Sequence, residues 1–303
     1  MKKAHLFIAL IISVHLLNAQ VDLIVLGIAQ DAGSPQLGCQ KKCCVDRWKT
    51  GATERVVSLG IIDRKDKKHY LLEATPNIAQ QLYHLTEESA VKSKLKGVFL
   101  THAHMGHYSG LLQFGKEAFG GKNIPVYAAP RFSKFLATNG PWDQLIRENN
   151  IELRSSQPNK TIELSAELTV KSLLVPHRDE YSETVGYLIE GPQKKALFIP
   201  DIDKWERWET PIEELIALVD YAFLDATFFD GTELPNRDMN EIPHPFVVES
   251  MRRFEQLPTN EKEKVYFIHF NHTNPLLQKN SLESQLVASK GFNVAQSGMK
   301  FDL

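Results

Sequence analysis

Short apolar runs rich in branched residues alternate along this chain with amphipathic segments of helical period. The runs predict strands over residues 21–27, 56–63, 69–73, 96–100, 124–128, 168–175, 185–189, 196–199, 221–224 and 265–268. The amphipathic segments predict helices over residues 77–85, 108–119, 245–255 and 282–289. Interspersed strands and helices are typical of a layered α/β or α+β domain, and we predict one such domain over residues 20–303.

Residues 1–19 have the layout of a secretory signal peptide. Two lysines precede an apolar run over residues 6–17, and the small residue Ala19 follows it. The run is short for a transmembrane helix, which needs about 20 apolar residues. We therefore expect cleavage after Ala19, no stable membrane span afterwards, and an exported protein that is periplasmic or secreted. An uncleaved anchor is the alternative.

Composition narrows the classes of partner. The 35 Lys and Arg residues nearly balance the 37 Asp and Glu residues, for a formal net charge of −2. Such a balance provides no basic field for nucleic acid, so we expect a small-molecule substrate and no nucleic-acid partner. The oligomeric state is left open by the sequence.

Candidate metal ligands lie in two places. Cys39, Cys43 and Cys44 are close together, which favours a metal site over a local disulfide that leaves one thiol unpaired. His102 and His104 follow a predicted strand at i and i+2, so both can face one metal, and His107 follows a turn at Gly106.

Three more residues follow predicted strands in the same way, namely His177, Asp201 and His269. Strand ends that meet at one edge of a sheet form binding sites in layered folds. A single histidine there is usually structural, but several such positions indicate a shared metal site.

This histidine and aspartate pattern resembles the ligand set of the metallo-β-lactamase superfamily. Within it, the chain is similar to the branch that contains pyrroloquinoline quinone biosynthesis protein B, a cyclic phosphodiesterase and tRNase Z. Other landmarks of the resemblance are Val25-Leu26-Gly27 with Gly33, Pro35 and Cys39, then Leu72-Glu73-Ala74, Leu224-Asp225-Ala226-Thr227-Phe228, Asn271-His272-Thr273-Asn274-Pro275 and Ser297-Gly298-Met299. The resemblance implies an α+β fold, a four-layer αββα sandwich with metals at one edge.

The resemblance also implies roles for single residues. The first metal would be held by His102, His104 and His177, and the second by His107 and His269, with Asp201 bridging. His244 falls where phosphodiesterase members have a histidine that assists the leaving group, although a structural histidine at a helix start is equally consistent with the sequence. His244 and Asp201 are thus the candidate catalytic residues. One or two Zn²⁺ ions are expected, with Mn²⁺ or Fe²⁺ as alternatives.

A separate structural zinc is implied by the same resemblance. Its ligands would be three cysteines and a histidine three residues beyond the last active-site ligand, here Cys39, Cys43, Cys44 and His272. Cys43 and Cys44 are adjacent, unlike the family's spacing, so one of them is a candidate bystander.

Gly106 is the main departure from the family, which usually has a metal-binding aspartate at this position. Its absence leaves His107, Asp201 and His269 for the second metal, so that metal should bind more weakly and a single-metal enzyme is an alternative. Asp31 and Glu73 are candidates to supply a carboxylate from neighbouring loops, and the sequence places neither.

The function expected from these features is an exported metal-dependent hydrolase that acts on a phosphodiester or cyclic phosphate through a metal-activated water. One alternative is a metal-dependent oxidative or cofactor-maturation enzyme like protein B. Another is a weakly active metal-dependent binding protein in which Gly106 marks lost turnover.

Overall fold

A computed structural model describes residues 20–89, 93–234 and 237–303 of the chain. The predicted signal peptide lies outside the described residues. The strands are β1 (Val21–Gly27), β2 (Ser58–Asp63), β3 (Lys68–Leu72), β4 (Lys94–Phe99), β5 (Ile124–Ala128), β6 (Ile151–Ser155), β7 (Thr161–Ser165), β8 (Leu168–Leu174), β9 (Val185–Glu190), β10 (Lys195–Ile199), β11 (Tyr221–Asp225), β12 (Val265–Ile268), β13 (Asn293–Val294) and β14 (Lys300–Asp302). The α-helices are α1 (Lys42–Thr50), α2 (Ile78–Glu88), α3 (Met105–Tyr108), α4 (Pro130–Thr138), α5 (Trp142–Arg147), α6 (Ile212–Leu218), α7 (Val247–Arg253), α8 (Thr259–Lys262) and α9 (Leu282–Ser289).

The strands form two mixed seven-stranded sheets. Their orders are β14-β1-β2-β3-β4-β5-β6 and β13-β12-β11-β10-β9-β8-β7. In the first sheet β3 to β6 run parallel, and in the second β10 to β13 do so. Each parallel set therefore ends its strands at one edge of its sheet, where the connecting loops collect.

Side chains on opposite faces of the strands pack into two different hydrophobic cores. In β1, Leu23 and Val25 belong to the large core shared by both sheets, whereas Ile24 and Leu26 pack into a second core under α2, α4 and α5. The outer face of the second sheet is covered by α6, α7 and α9. Because successive strand side chains point to opposite faces, each sheet buries both faces. The expected α+β class and four-layer αββα sandwich are confirmed.

The helix predicted over residues 108–119 is wrong in type and length. Helix α3 ends at Tyr108, and a 3₁₀ helix, Ser109–Phe114, continues the chain. The Gly110 backbone N–H donates to the carbonyl of Ala74, and a Cβ at position 110 would overlap the carbonyl oxygen of Thr75. This close approach ties the segment to the loop after β3, which a helical pattern in the sequence does not reveal.

In the part of the chain that the structure describes, no helix is long and apolar enough to cross a membrane.

Candidate metal centre

The predicted metal ligands converge at one edge of the sandwich. His102, His104 and His107 follow β4, and the remaining ligands follow or end strands of the second sheet: His177 after β8, Asp201 after β10 and His269 after β12. Both sheets thus contribute side chains to one site, as the strand-end argument predicts.

A first group consists of His102, His104 and His177, whose ligand atoms lie within 4.8 Å of one another. The Nε2 of His102 is 2.8 Å from the Nδ1 of His104. The Nε2 atoms of His102 and His177 each lie 3.6 Å from a different carboxylate oxygen of Asp201. Three imidazole nitrogens that converge in this way can hold one zinc ion and leave a position open.

A second group surrounds the other side of Asp201. Its Oδ2 lies 3.0 Å from the Nε2 of His107 and 3.1 Å from the Nε2 of His269. Two ligands of a tetrahedral zinc at the usual bond lengths are about 3.3 Å apart. These separations therefore fit ligands around a second ion, with Asp201 between the two groups.

The outer ring nitrogens of the second group face neighbouring side chains. Thr227 donates its hydroxyl to Asp225 Oδ1 at 2.7 Å, so the Nδ1 of His269, 2.9 Å from that hydroxyl, is assigned as the donor to it. The Nδ1 of His107 faces Glu73 Oε1 at 3.5 Å. A proton on the Nδ1 of His269 leaves its Nε2 unprotonated and facing Asp201, as in metal-bound histidines.

Two of these residues have unusual backbone geometry. His269 and Glu73 adopt φ angles of 70° and 74°. This left-handed region is unfavourable for residues other than glycine and persists where surrounding contacts impose it, often at functional sites.

The charges at the centre are strongly coupled. Burial alone would raise the pKa of Asp201, but His269 and His107 hold it well below its usual value. Burial, then His107, lowers the pKa of His102 well below its usual value. Burial would also lower the pKa of His107, yet Glu73 and Asp201 raise it well above the ordinary range. Because a metal ligand must be unprotonated, a metal at His107 competes with a proton there.

Several buried polar atoms of the centre have no hydrogen-bond partner among the described residues, namely Asp201 Oδ2, His107 Nε2, His269 Nε2 and both ring nitrogens of His177. Buried polar atoms are normally satisfied, and each exception needs a physical explanation. These atoms are all metal-ligand types, and Asp201 Oδ2 lies within 3.1 Å of the Nε2 atoms of His107 and His269, so the residues fit a metal centre.

A sequence model of the beta-lactamase superfamily domain matches residues 68–270, which include all of these histidines and Asp201. The chain belongs to the beta-lactamase superfamily. Coenzyme PQQ synthesis protein B of Methylorubrum extorquens strain PA1 is 26% identical to it over 310 residues, covering 93% of this chain and 99% of that protein.

Solved structures agree with the fold of this superfamily. Zinc-bound PqqB from Methylobacterium extorquens aligns with a TM-score of 0.78 and 22% identity, over 93% of this chain and 100% of that one. A diphosphatase from the PhnP family aligns with a TM-score of 0.63 and 21% identity, over 93% and 96% of the two chains. The metallo-β-lactamase fold and the resemblance to protein B are confirmed.

At position 106, where the superfamily usually has an aspartate, this chain has a glycine. Gly106 packs against the loop after β1, where a Cβ at position 106 would overlap the Cα of Asp31 and lie 2.5 Å from its Oδ1. That Oδ1 is 3.2 Å from the Nε2 of His107, on the same side as Asp201. Of the two carboxylates that the sequence could not place, Asp31 thus faces the centre, whereas Glu73 lies behind the His107 ring.

His244 is brought to the centre as expected. Its Nδ1 lies 2.8 Å from Asp225 Oδ2 and 3.4 Å from Asp201 Oδ1. Burial would lower the pKa of His244, but the Asp225 carboxylate raises it above its usual value. The position is therefore suited to a histidine that holds a proton near the reacting centre.

The cysteine cluster also forms as a group. The ligand atoms of Cys39, Cys43, Cys44 and His272 lie within 4.8 Å of one another, and the three thiols are not joined in a disulfide. Helix α1 begins at Lys42, so its first turn carries the two adjacent cysteines. Burial, assisted by Cys39, raises the pKa of Cys44 to about 12.

Two buried residues behind the centre were not assigned a role from the sequence, although both lie in a quoted landmark. Asp225 and Thr227 orient His244 and His269 through hydrogen bonds, and Asp225 also accepts the backbone N–H of Ile202. The landmark Leu224-Asp225-Ala226-Thr227-Phe228 contains them, but their contacts depend on how β10, β11 and β12 lie side by side.

Proposed function

We propose that this protein is a metal-dependent hydrolase whose substrate is a phosphodiester or a cyclic phosphate. The proposal rests on the convergence of unpartnered imidazole and carboxylate atoms around Asp201, with His244 beside them. The first metal is assigned to His102, His104 and His177, and the second to His107, His269 and Asp201. Zinc bound in such a site lowers the pKa of water from 15.7 to about 7 and polarises a substrate oxygen.

The chain's own residues supply positioning and a proton. Asp201 would contribute to both metal sites, because its two oxygens face different histidines of the centre. His244 donates Nδ1–H to Asp225, so a proton that it delivers to the leaving oxygen would come from its Nε2. Arg178, at the exposed rim 3.4 Å from the Nε2 of His104, provides a cation for an anionic substrate.

Hydrolysis of bis(4-nitrophenyl) phosphate with added Zn²⁺ or Mn²⁺ tests this proposal. His102→Ala removes a ligand of the first metal and should abolish turnover. The matched control is His84→Ala, because His84 is exposed on α2 and should keep the wild-type rate. A wild-type rate equal to that of His102→Ala would refute the proposal.

A second candidate is a metal-dependent oxidative or cofactor-maturation enzyme. It is favoured by the similarity over nearly the full length to coenzyme PQQ synthesis protein B. A site of histidines and a carboxylate suits Fe²⁺ as well as zinc. Elemental analysis of protein purified without chelator separates the two candidates, because iron supports oxidation, whereas two zinc ions in addition to the one proposed for the cysteine cluster support hydrolysis.

We also propose that Cys39, Cys43, Cys44 and His272 bind a structural zinc. The Nδ1 of His272 is buried and lacks a hydrogen-bond partner within the described ranges, which fits a ligand atom. All four ligands lie together despite the adjacent cysteines, so a bystander cysteine is not required by the geometry.

Export is a further part of the proposal, supported by the sequence pattern of residues 1–19. Amino-terminal sequencing of the mature protein should begin at Gln20. Mature protein that retains residues 1–19 and sediments with membranes would support the uncleaved anchor instead.

A further inference from the structure

We propose that Asp31, from the loop after β1, is the carboxylate ligand of the second metal and replaces the aspartate that the superfamily carries at position 106. The inference rests on the metal binding of the proposed function but not on hydrolysis. Asp31 lies outside the region matched by the superfamily model, which begins at residue 68. Its role therefore follows from its placement in this structure.

The first argument is that one ring nitrogen of His107 faces two carboxylates. Its single Nε2 is approached by Asp31 Oδ1 at 3.2 Å and by Asp201 Oδ2 at 3.0 Å. One imidazole nitrogen carries at most one proton and cannot satisfy two carboxylates. A cation placed among the three atoms satisfies all of them, and the distances match the edge of about 3.3 Å in a tetrahedral zinc site.

The second argument is the state of the Asp31 oxygen itself. Its Oδ1 is buried and has no hydrogen bond to any residue that the structure describes, although the side chain as a whole is 35% exposed. Asp31, His107 and His269 place their ligand atoms within 4.8 Å of one another. A partly exposed aspartate with one buried and unpartnered oxygen, directed at two histidines, has the geometry of a ligand.

The third argument is that the loop is held in place beside the other ligands. The backbone N–H of Gln30 donates to the carbonyl of Phe270 at 2.8 Å, and the N–H of Phe270 donates to the carbonyl of Ile28 at 2.8 Å. The side chain of Asn271 donates to Gln30 Oε1 at 2.6 Å. Asp31 is therefore tied by its neighbours to the segment that carries His269.

Gly106 completes the arrangement. Any side chain at this position would overlap Asp31, so the loop can occupy the space of the usual aspartate because residue 106 has no Cβ. Gly106→Asp is therefore not a restoring change, since the new side chain would displace the loop. Glycine at 106 and aspartate at 31 are complementary, and the centre keeps four protein ligands for its second metal.

Metal binding without turnover tests the assignment. Metal-free protein is titrated with Zn²⁺ and with Co²⁺, bound metal is counted by elemental analysis, and the sulfur-to-cobalt absorption band reports the cysteine cluster separately. Asp31→Asn keeps the packing and Asp31→Ala removes the side chain. Both should bind one metal fewer than wild type, or bind it at least about 100-fold more weakly, because loss of even an outer-shell partner costs 10- to 100-fold.

Asp143→Asn is the matched control, because Asp143 pairs with Arg147 on α5 and should leave every metal in place. Gly106→Ala adds a Cβ that would overlap Asp31, so this variant should also lose the second metal while keeping the first. Circular dichroism must show an unchanged fold for each variant that is interpreted.

The outcomes separate the assignment from the proposed function. Two metals at the histidine centre of wild type and of both Asp31 variants, with equal affinity, would overturn the assignment and leave the hydrolase proposal standing. A wild-type centre that binds no metal would overturn both. Loss of one metal in the Asp31 variants and in Gly106→Ala, but not in Asp143→Asn, would support the assignment.

Discussion

Asp225→Asn is the sharpest test of how the centre controls its proton donor. Asp225 accepts four hydrogen bonds. Oδ1 receives the backbone N–H and hydroxyl of Thr227, and Oδ2 receives the backbone N–H of Ile202 and the Nδ1–H of His244. An asparagine at this position directs its NH₂ group at a donor in either orientation. The variant should therefore lose about 1–3 kcal/mol of stability, the cost of a buried unsatisfied polar group.

Asp225→Asn should also lower kcat/KM, by an amount that is estimated separately from the loss of stability. A hydrogen bond to a charged group contributes about 1.5–3 kcal/mol, so loss of the carboxylate from His244 should lower kcat/KM by roughly 10- to 150-fold. Since Asp225 raises the pKa of His244, its removal lowers that pKa. The protonated acid then disappears at lower pH, and the alkaline limb of the kcat/KM profile should move toward acid.

The assay is the pH profile of bis(4-nitrophenyl) phosphate hydrolysis, with bound metal counted in the same samples. Asp220→Asn is the control, because Asp220 is exposed and accepts a backbone N–H from Lys195 just before β11 begins. An Asp225→Asn enzyme with full metal content and an unmoved alkaline limb would refute the assignment of His244 as the acid.

Three further predictions follow from other parts of the structure. His272→Ala should release one tightly held zinc and His84→Ala none, as measured by elemental analysis; equal zinc content would contradict the cysteine site. Burial lowers the pKa of His69 to about 4. As the pH falls, the unfolded chain therefore binds a proton at His69 near pH 6.5, whereas the folded chain binds it only near pH 4. Stability should thus fall by up to about 3 kcal/mol as pH drops through this window, and His69→Gln should flatten that loss in urea titrations while His84→Gln should not. Chelation of bound metal should lower the thermal midpoint, because a ligand that binds the folded state stabilises it, and added zinc should restore it.

Much of this centre could be predicted from local patterns. His102, His104 and His107 are close in sequence, and the position of each isolated ligand directly after a strand is visible in the hydrophobic pattern. The alternation of strands and helices predicted only a layered domain, and the two-sheet architecture was implied by the resemblance. These features depend on strand period and on the rule that parallel strands end at one edge.

The rest depends on contacts between segments distant in sequence. Asp31 reaches His107 because the loop after β1 is bound to the segment after β12, and no periodicity in the sequence encodes that contact. From the sequence alone, Gly106 indicated that a metal ligand had been lost. In the structure, the missing side chain of Gly106 leaves the space that Asp31 occupies. None of the four edge strands β6, β7, β13 and β14 was predicted. Strands β13 and β14 contain two and three residues, which carry too little alternation to predict a strand.

The division of the ligands between the two sheets has a consequence for folding kinetics. His102, His104 and His107 belong to the first sheet, and His177, Asp201 and His269 to the second, so neither sheet alone offers a complete set. The ligands of a metal come together only once the two sheets have packed, so we expect metal binding to follow the transition state for folding. Interactions formed that late slow unfolding and leave the folding rate nearly unchanged. Metal at this centre should therefore prolong the lifetime of the folded protein without helping it to fold.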